Sequence, residues 1–265
     1  MTFDKVIQAD FAEHAVSILQ GDSSVIGLTA GGSWLTDEID EFSDLDLILV
    51  TKQKISGSKE EMLTYAASLG TLLSAFTGEH VGDSRVLICL YDNPLLHVDI
   101  KFLTIEEFGT RVETPFILLD KNGELEKVLN STEAKFPVTD VQWIEDRFWV
   151  WIHYALLKIC RGEYFESYDF FSSLRRLVLG PMLQMKSNSE PRGVRKLEFR
   201  SNKEDLELLR STLPKYEKQA LLDALKNSVF LYRKLRLELN TGELIFRKEA
   251  EEKVMLYFEK ISAGK

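Results

Sequence analysis

Apolar positions recur along this chain with two different periods, and the change from one to the other divides it in two. At the start, "FDKVIQADFAEHAVSILQG" sets Phe3, Val6, Ile7, Phe11 and Ile18 at helical spacing and stops at Gly21, predicting an amphipathic helix. "SVIGLTA" reads as a short apolar strand, and "SDLDLILV" as another once past Ser43. "SKEEMLTYAASLGTLLSAFTG" opens with Ser58 and Glu61 spaced as a capping box and predicts one helix running to Gly78. "RVLICLYD" and "LLHVDIKFLT", joined by Asn-Pro, predict an antiparallel pair; Thr104 and Glu107 predict the cap of a short helix; "FILLDKNG" predicts a strand ending in an Asn-Gly turn.

Beyond Thr139 nearly every long segment has helical periodicity. Helices are expected over "DVQWIEDRFWVWIHYALLKICRGE", about Tyr164 to Gln184, "KEDLELLRS", about Pro214 to Leu239, and "RKEAEEKVMLYFEKI", separated by Pro191, Gly193 and Gly242. The expected fold class is therefore α+β: residues 1–138 form a mixed sheet flanked by helices, and residues 139–265 form a helical, bundle-like domain.

Composition narrows the function. The 265 residues carry a formal net charge of −9, which argues against long nucleic acid as a partner, because such binders present basic stripes to phosphates. Residues 1–138 hold 10 Lys and Arg against 23 Asp and Glu, residues 139–265 hold 23 against 19, so the halves differ in kind. No apolar run is long enough for a membrane span and the start lacks a secretory signal, so a cytoplasmic location is expected. The two cysteines, Cys89 and Cys160, sit in apolar segments and are expected as buried core thiols.

Chemistry is concentrated between Gly27 and Lys101. Alternation on a strand turns Asp44 and Asp46 to one face and Leu45, Leu47 and Leu49 to the other. Two carboxylates on one face offer hard oxygen ligands suited to Mg²⁺; an acidic strand end is also ordinary solvated surface. Eleven residues before Asp44 ends "GGS", Gly31 to Ser33, where glycines allow close approach and the Ser33 hydroxyl with exposed N–H groups can bind phosphate oxygens; read alone, it is a turn. Neither a Walker A loop nor a GxGxxG fingerprint is present. A third carboxylate, Asp99, lies in the apolar strand "HVDIK", sharing a face with His97 and Lys101, and burial there demands a partner: a metal, or a cation such as Lys101 or Arg85.

"GGS", then "DLD", then "VDI" resembles the nucleotidyltransferase pattern of the polymerase β type, and with a helical C-terminal lobe the chain is most similar to bacterial aminoglycoside and lincosamide nucleotidyltransferases. The resemblance implies that Asp44, Asp46 and Asp99 hold Mg²⁺, two ions being expected, and that Gly32 and Ser33 contact the terminal phosphates of a nucleoside triphosphate, ATP first. It implies that an acceptor hydroxyl attacks the α-phosphorus and releases pyrophosphate, with Asp99 able to take the proton. Lys101 is the first candidate for a cation facing the triphosphate, followed by Lys158 and Arg161. For the acceptor, a small hydroxylated molecule such as an aminoglycoside, the candidates are the aromatic-rich segments with Trp149, Trp151, Tyr154, Tyr164 and Tyr168, and the acidic residues Glu163, Glu166 and Asp169; core packing and a solvated helix face are their competing roles. His153 is expected to be an ordinary helix residue. Transfer to a protein or tRNA end, and a nucleotide-binding regulator without turnover, are the alternative functions.

Overall fold

The computed structural model describes residues 7–36 and 38–262. The expectations for Phe3 and Val6 lie outside the described residues. The chain divides into two compact units, Met1–Phe136 and Pro137–Lys265.

The first unit is built on one six-stranded mixed sheet. Its elements are α1 (Ile7–Leu19), β1 (Val25–Ala30), a 3₁₀ turn (Gly32–Thr36), β2 (Leu45–Thr51), α2 (Lys59–Ser68), β3 (Thr71–Gly78), β4 (Asp83–Asp92), β5 (Leu96–Leu103), α3 (Ile105–Phe108), β6 (Phe116–Asp120) and α4 (Glu124–Ser131). The strand order is β3-β4-β5-β2-β1-β6, antiparallel throughout except for β2 and β5, which are parallel neighbours.

The two faces of the sheet are covered differently. Leu45, Leu47 and Leu49 of β2, Val98, Ile100 and Phe102 of β5, and Leu87, Cys89 and Tyr91 of β4 form a closed apolar layer with Phe11, Ala15 and Leu19 of α1 and Met62 and Ala66 of α2. On the other face Ile48, Val50 and Leu103 are sealed by Phe108 of α3 and Leu125 of α4. The apolar cover on that second face stops short of the N-terminal ends of β2 and β5. The carboxylates of interest lie there.

Several expectations hold. The hairpin β4–β5 is antiparallel, Ser58 Oγ accepts from the Glu61 N–H at 3.3 Å, and Thr104 and Glu107 form a complete capping box on α3. Two do not. The predicted helix to Gly78 ends at Ser68, and Thr71–Gly78 is the edge strand β3, paired with β4. The reason is tertiary: Gly70 interrupts the helix, and an edge strand exposed on both faces shows no clean alternation, so pairing with β4 overrides a helix-like pattern. The segment after the Asn-Gly turn, without an expected element, forms α4, entered through Gly123 at φ +68°.

The second unit is helical: α5 (Val141–Arg161), α6 (Tyr164–Leu174), a π turn (Arg175–Leu179), α7 (Gly180–Lys186), α8 (Leu197–Arg200), α9 (Lys203–Arg210), α10 (Lys218–Glu238) and α11 (Lys248–Ser262). The expected helix from Pro214 starts four residues later, since Pro214 and the bends after it precede the first helical residue. Ile144, Phe148, Trp149 and Ile152 of α5 pack against Leu221, Leu225, Tyr232 and Leu235 of α10. Inside that core Glu145 is fully buried. Its carboxylate accepts from Arg236 Nη1 at 3.1 Å to both oxygens, from Trp149 Nε1 at 3.2 Å, from the Arg247 N–H at 2.8 Å and from the Tyr232 hydroxyl.

The α+β class is as expected. Of the two thiols, Cys89 is buried, and burial pushes its pKa up to about 12; Cys160, expected in a core, is only half-buried. Among the described residues no helix is long and apolar enough to cross a membrane.

Candidate active site

β2 carries its leucines inward and leaves Asp46 partly exposed on the opposite face, as strand alternation requires. The parallel ladder sets Asp46 directly opposite Asp99 of β5, with Ile48 opposite Lys101 on the same face. Parallel register thus presents two carboxylates side by side. Asp44 precedes the first ladder residue of β2, in a loop that α1 holds: the buried Gln8 side chain donates to the Asp40 carbonyl at 3.0 Å and to the Ser43 carbonyl at 2.5 Å. Asp40 organises that loop, its carboxylate accepting from the Phe42 N–H and the Ser43 hydroxyl, as Asx turns do. Asp44 and His97 lie on the wall of a cleft of about 330 Å³ with Phe42, Leu95 and Leu96.

The "GGS" turn closes against Asp46. The Gly31 N–H donates to the Asp46 carbonyl at 2.9 Å. Gly32 has φ +61°, and a methyl group placed on it would lie 2.0 Å from Asp46 Oδ2. The backbone angle favours glycine there, and any larger residue would have to displace the Asp46 carboxylate. The Gly32 N–H donates to Glu113 Oε1 at 2.9 Å, so a backbone amide expected for phosphate already holds an anionic oxygen. Ser33 is partly exposed at the start of the turn.

The cations and Asp99 pair otherwise than expected. Asp99 Oδ1 lies 2.8 Å from His97 Nε2, whereas Lys101 and Arg85 both bind Asp83, Lys101 Nζ at 2.8 Å and Arg85 Nε at 2.8 Å. Arg85 and Asp83 are two apart on β4, and β4 reaches Lys101 across the ladder through Val86. The Arg85 hydrogen bonds, with help from Lys101, hold the Asp83 carboxyl well below the usual carboxylate range.

Lys158 and Arg161 lie in the second unit, in the last turn of α5. Lys158 Nζ is 2.7 Å from Glu163 and 2.9 Å from Glu166, and Arg161 Nε is 2.9 Å from Glu163. The basic pair and the acidic pair thus compensate one another, and the two carboxylates hold the Lys158 ammonium well above its ordinary pKa. The Tyr154 hydroxyl also bonds Glu166, and the Tyr168 hydroxyl donates to the Pro214 carbonyl at 2.9 Å. Trp149 is core; Trp151, Tyr164 and Tyr168 pack partly buried against that core, and the His153 ring lies 5.2 Å from that of Tyr257.

Three participants carry little or no signal in the sequence. Glu113 sits in an irregular stretch with no motif around it. Gln8 is one more polar position on a helix. Asp83 has a signal, since "DSR" puts it and Arg85 on one strand face at the start of β4.

Mg²⁺ is the ion that the resemblance implies, with Asp44, Asp46 and Asp99 as its ligands, and of these the ladder brings Asp46 and Asp99 together, a pair whose chemistry suits it. Asp46 and Asp99 supply hard oxygens from adjacent strands, and Mg²⁺ ordinarily takes one or two protein carboxylates, completing its shell with water and phosphate. Among the described residues no three His, Cys, Asp or Glu side chains gather as a ready-made metal cluster. No family model and no curated protein matches the chain. Among solved structures it is similar to an aminoglycoside 6-adenyltransferase from Bacillus subtilis, at 15% identity over 96% of this chain and 98% of that one, with a TM-score of 0.45. It is also similar to a nucleotidyltransferase-like protein from Exiguobacterium sibiricum 255-15, at 14% identity over 86% and 76%, with a TM-score of 0.41.

Proposed function

We propose that the chain is a Mg²⁺-dependent nucleotidyltransferase that moves a nucleoside monophosphate, AMP from ATP first, onto a hydroxyl of a small molecule and releases pyrophosphate. One observation carries the reading: Asp46 and Asp99 stand opposite each other on parallel strands, beside a glycine turn whose backbone packs against Asp46. A triphosphate needs both parts, carboxylates to hold its cation and open backbone to approach its oxygens.

Asp44, Asp46 and Asp99 would hold Mg²⁺, which when bound neutralises triphosphate charge and polarises the phosphoryl group. Gly32 and Ser33 orient the terminal phosphates through a backbone N–H and a hydroxyl. Lys101, tethered by Asp83, adds positive charge on the face of Asp99. As the acceptor oxygen bonds to the α-phosphorus and the bond to the pyrophosphate oxygen breaks, Asp99 takes the hydroxyl proton on a carboxylate oxygen. Positioning and charge neutralisation supply most of the acceleration. Polyhydroxylated amines such as aminoglycosides are the first acceptor class to try.

The test is a pyrophosphate-release screen with Mg-ATP against aminoglycosides, lincosamides and other hydroxylated metabolites. Release with one small acceptor, lost in Asp46→Asn, is the expected result. Labelling of a protein or tRNA alone, or nucleotide binding with no release for any acceptor, would overturn the small-molecule assignment in favour of a macromolecular acceptor or a regulator.

A further inference from the structure

Glu113 belongs to the short irregular stretch between α3 and β6. That stretch is fastened at both ends. Arg111 donates to the Thr132 carbonyl at 2.7 Å and the Leu129 carbonyl at 3.3 Å, and Pro115 is buried just before β6. Between the anchors Val112 and Thr114 face solvent while Glu113 is half-buried. Its Oε1 accepts from the Gly32 N–H at 2.9 Å and lies 3.0 Å from where a methyl group on Gly31 would be. The carboxylate therefore sits over both glycines, on the turn that also packs against Asp46.

An amide bonded to a carboxylate makes a charge-assisted hydrogen bond, roughly twice as strong as a neutral one. A phosphate oxygen offers the same amide the same chemistry: an anionic acceptor at hydrogen-bond distance. One N–H cannot serve both fully, and two anions would repel at such range. We infer that Glu113 is an internal competitor for the phosphate cradle, occupying the Gly32 amide until a triphosphate displaces it, and thereby setting nucleotide affinity. This rests on the nucleotide reading above. The sign of its effect separates it from a supporting role: a residue that merely braces the turn weakens binding when removed, whereas a competitor strengthens it.

The experiment is calorimetric titration of the full chain with Mg²⁺ and the α,β-methylene analogue of ATP, for wild type, Glu113→Ala and Glu113→Gln. Glu113→Gln keeps shape and a neutral acceptor, and so guards against misfolding of the alanine variant. The expected result is binding tightened about tenfold in Glu113→Ala, the scale of one charge-assisted hydrogen bond, and by less in Glu113→Gln. The Gly32 amide proton resonance should move upfield in both variants before nucleotide is added. Unchanged or weakened binding in both variants, with wild type binding normally, overturns the competitor role and leaves the nucleotide reading standing. Binding by none of the three proteins overturns both.

Discussion

Gly32 and Asp46 are packed so closely that a side chain on residue 32 would have to displace the carboxylate: a methyl group there would stand 2.0 Å from Asp46 Oδ2, on a backbone already at φ +61°. The turn and the carboxylate form one unit. Gly32→Ala must move Asp46 or distort the turn, at a cost of about 1–3 kcal/mol in strain. Urea denaturation should show that loss, and nucleotide affinity should fall with it. Wild-type affinity in a folded Gly32→Ala protein would separate the turn from the binding site.

Removing the carboxylates one at a time tests the chemistry directly. Asp44→Asn, Asp46→Asn and Asp99→Asn each keep side-chain volume but lose a charge, and turnover should fall by about 10²-fold or more with folding intact. Steady-state rates with circular dichroism controls decide the matter; near wild-type rates in Asp46→Asn would remove it from the site.

Asp83 should leave an acid-range signature. Its pKa is depressed by Arg85 and Lys101, so its stabilising contribution is complete above the unfolded value of about 3.9 and is lost as pH falls through the lower folded value. Its partners are partly exposed, at 39% and 33% of their side chains, so screening limits the contribution to about 1 kcal/mol. Denaturation midpoints of wild type and Asp83→Asn should differ at neutral pH, and the gap should shrink as the pH is taken below about 4. A gap constant with pH would contradict the ion-pair origin.

In the helical unit, Glu145 is the buried anion on which several donors converge. Glu145→Ala leaves Arg236, only 8% exposed, without one of its carboxylates, and should cost about 3–5 kcal/mol. Pairing Glu145→Leu with Arg236→Met should cost less than the sum of the single changes, since no charge is then stranded. Additive losses in that double-mutant cycle would mean the two residues are not coupled.

Local period makes part of this arrangement legible in the sequence. Strand alternation in "DLDLILV" separates carboxylates from leucines, and "RVLICLYD" with "LLHVDIKFLT" announces a hairpin, because both depend on near neighbours alone. The pairing of β2 with β5 is not written locally, and with it goes the placement of Asp46 against Asp99. Edge strand β3 imitates a helix because one exposed face does not contrast with the other. Alternation puts Lys101 and Asp99 on one face, but only the neighbouring strand supplies Asp83 as the lysine's partner and leaves Asp99 to His97. Glu113 has no local signature at all, since the fold brings it onto a glycine turn more than seventy residues away.

The parallel pairing of β2 and β5 also governs when the site comes into being. Asp46 reaches Asp99 across more than fifty residues of intervening chain, which includes α2, β3 and β4. Closing so long a loop is entropically unfavourable until the intervening hairpin has formed, and contacts of large sequence separation form slowly. The carboxylate pair is therefore expected to form late in the folding of the first unit, and a fragment ending before β5 carries the "GGS" turn and Asp46 without the opposing carboxylate.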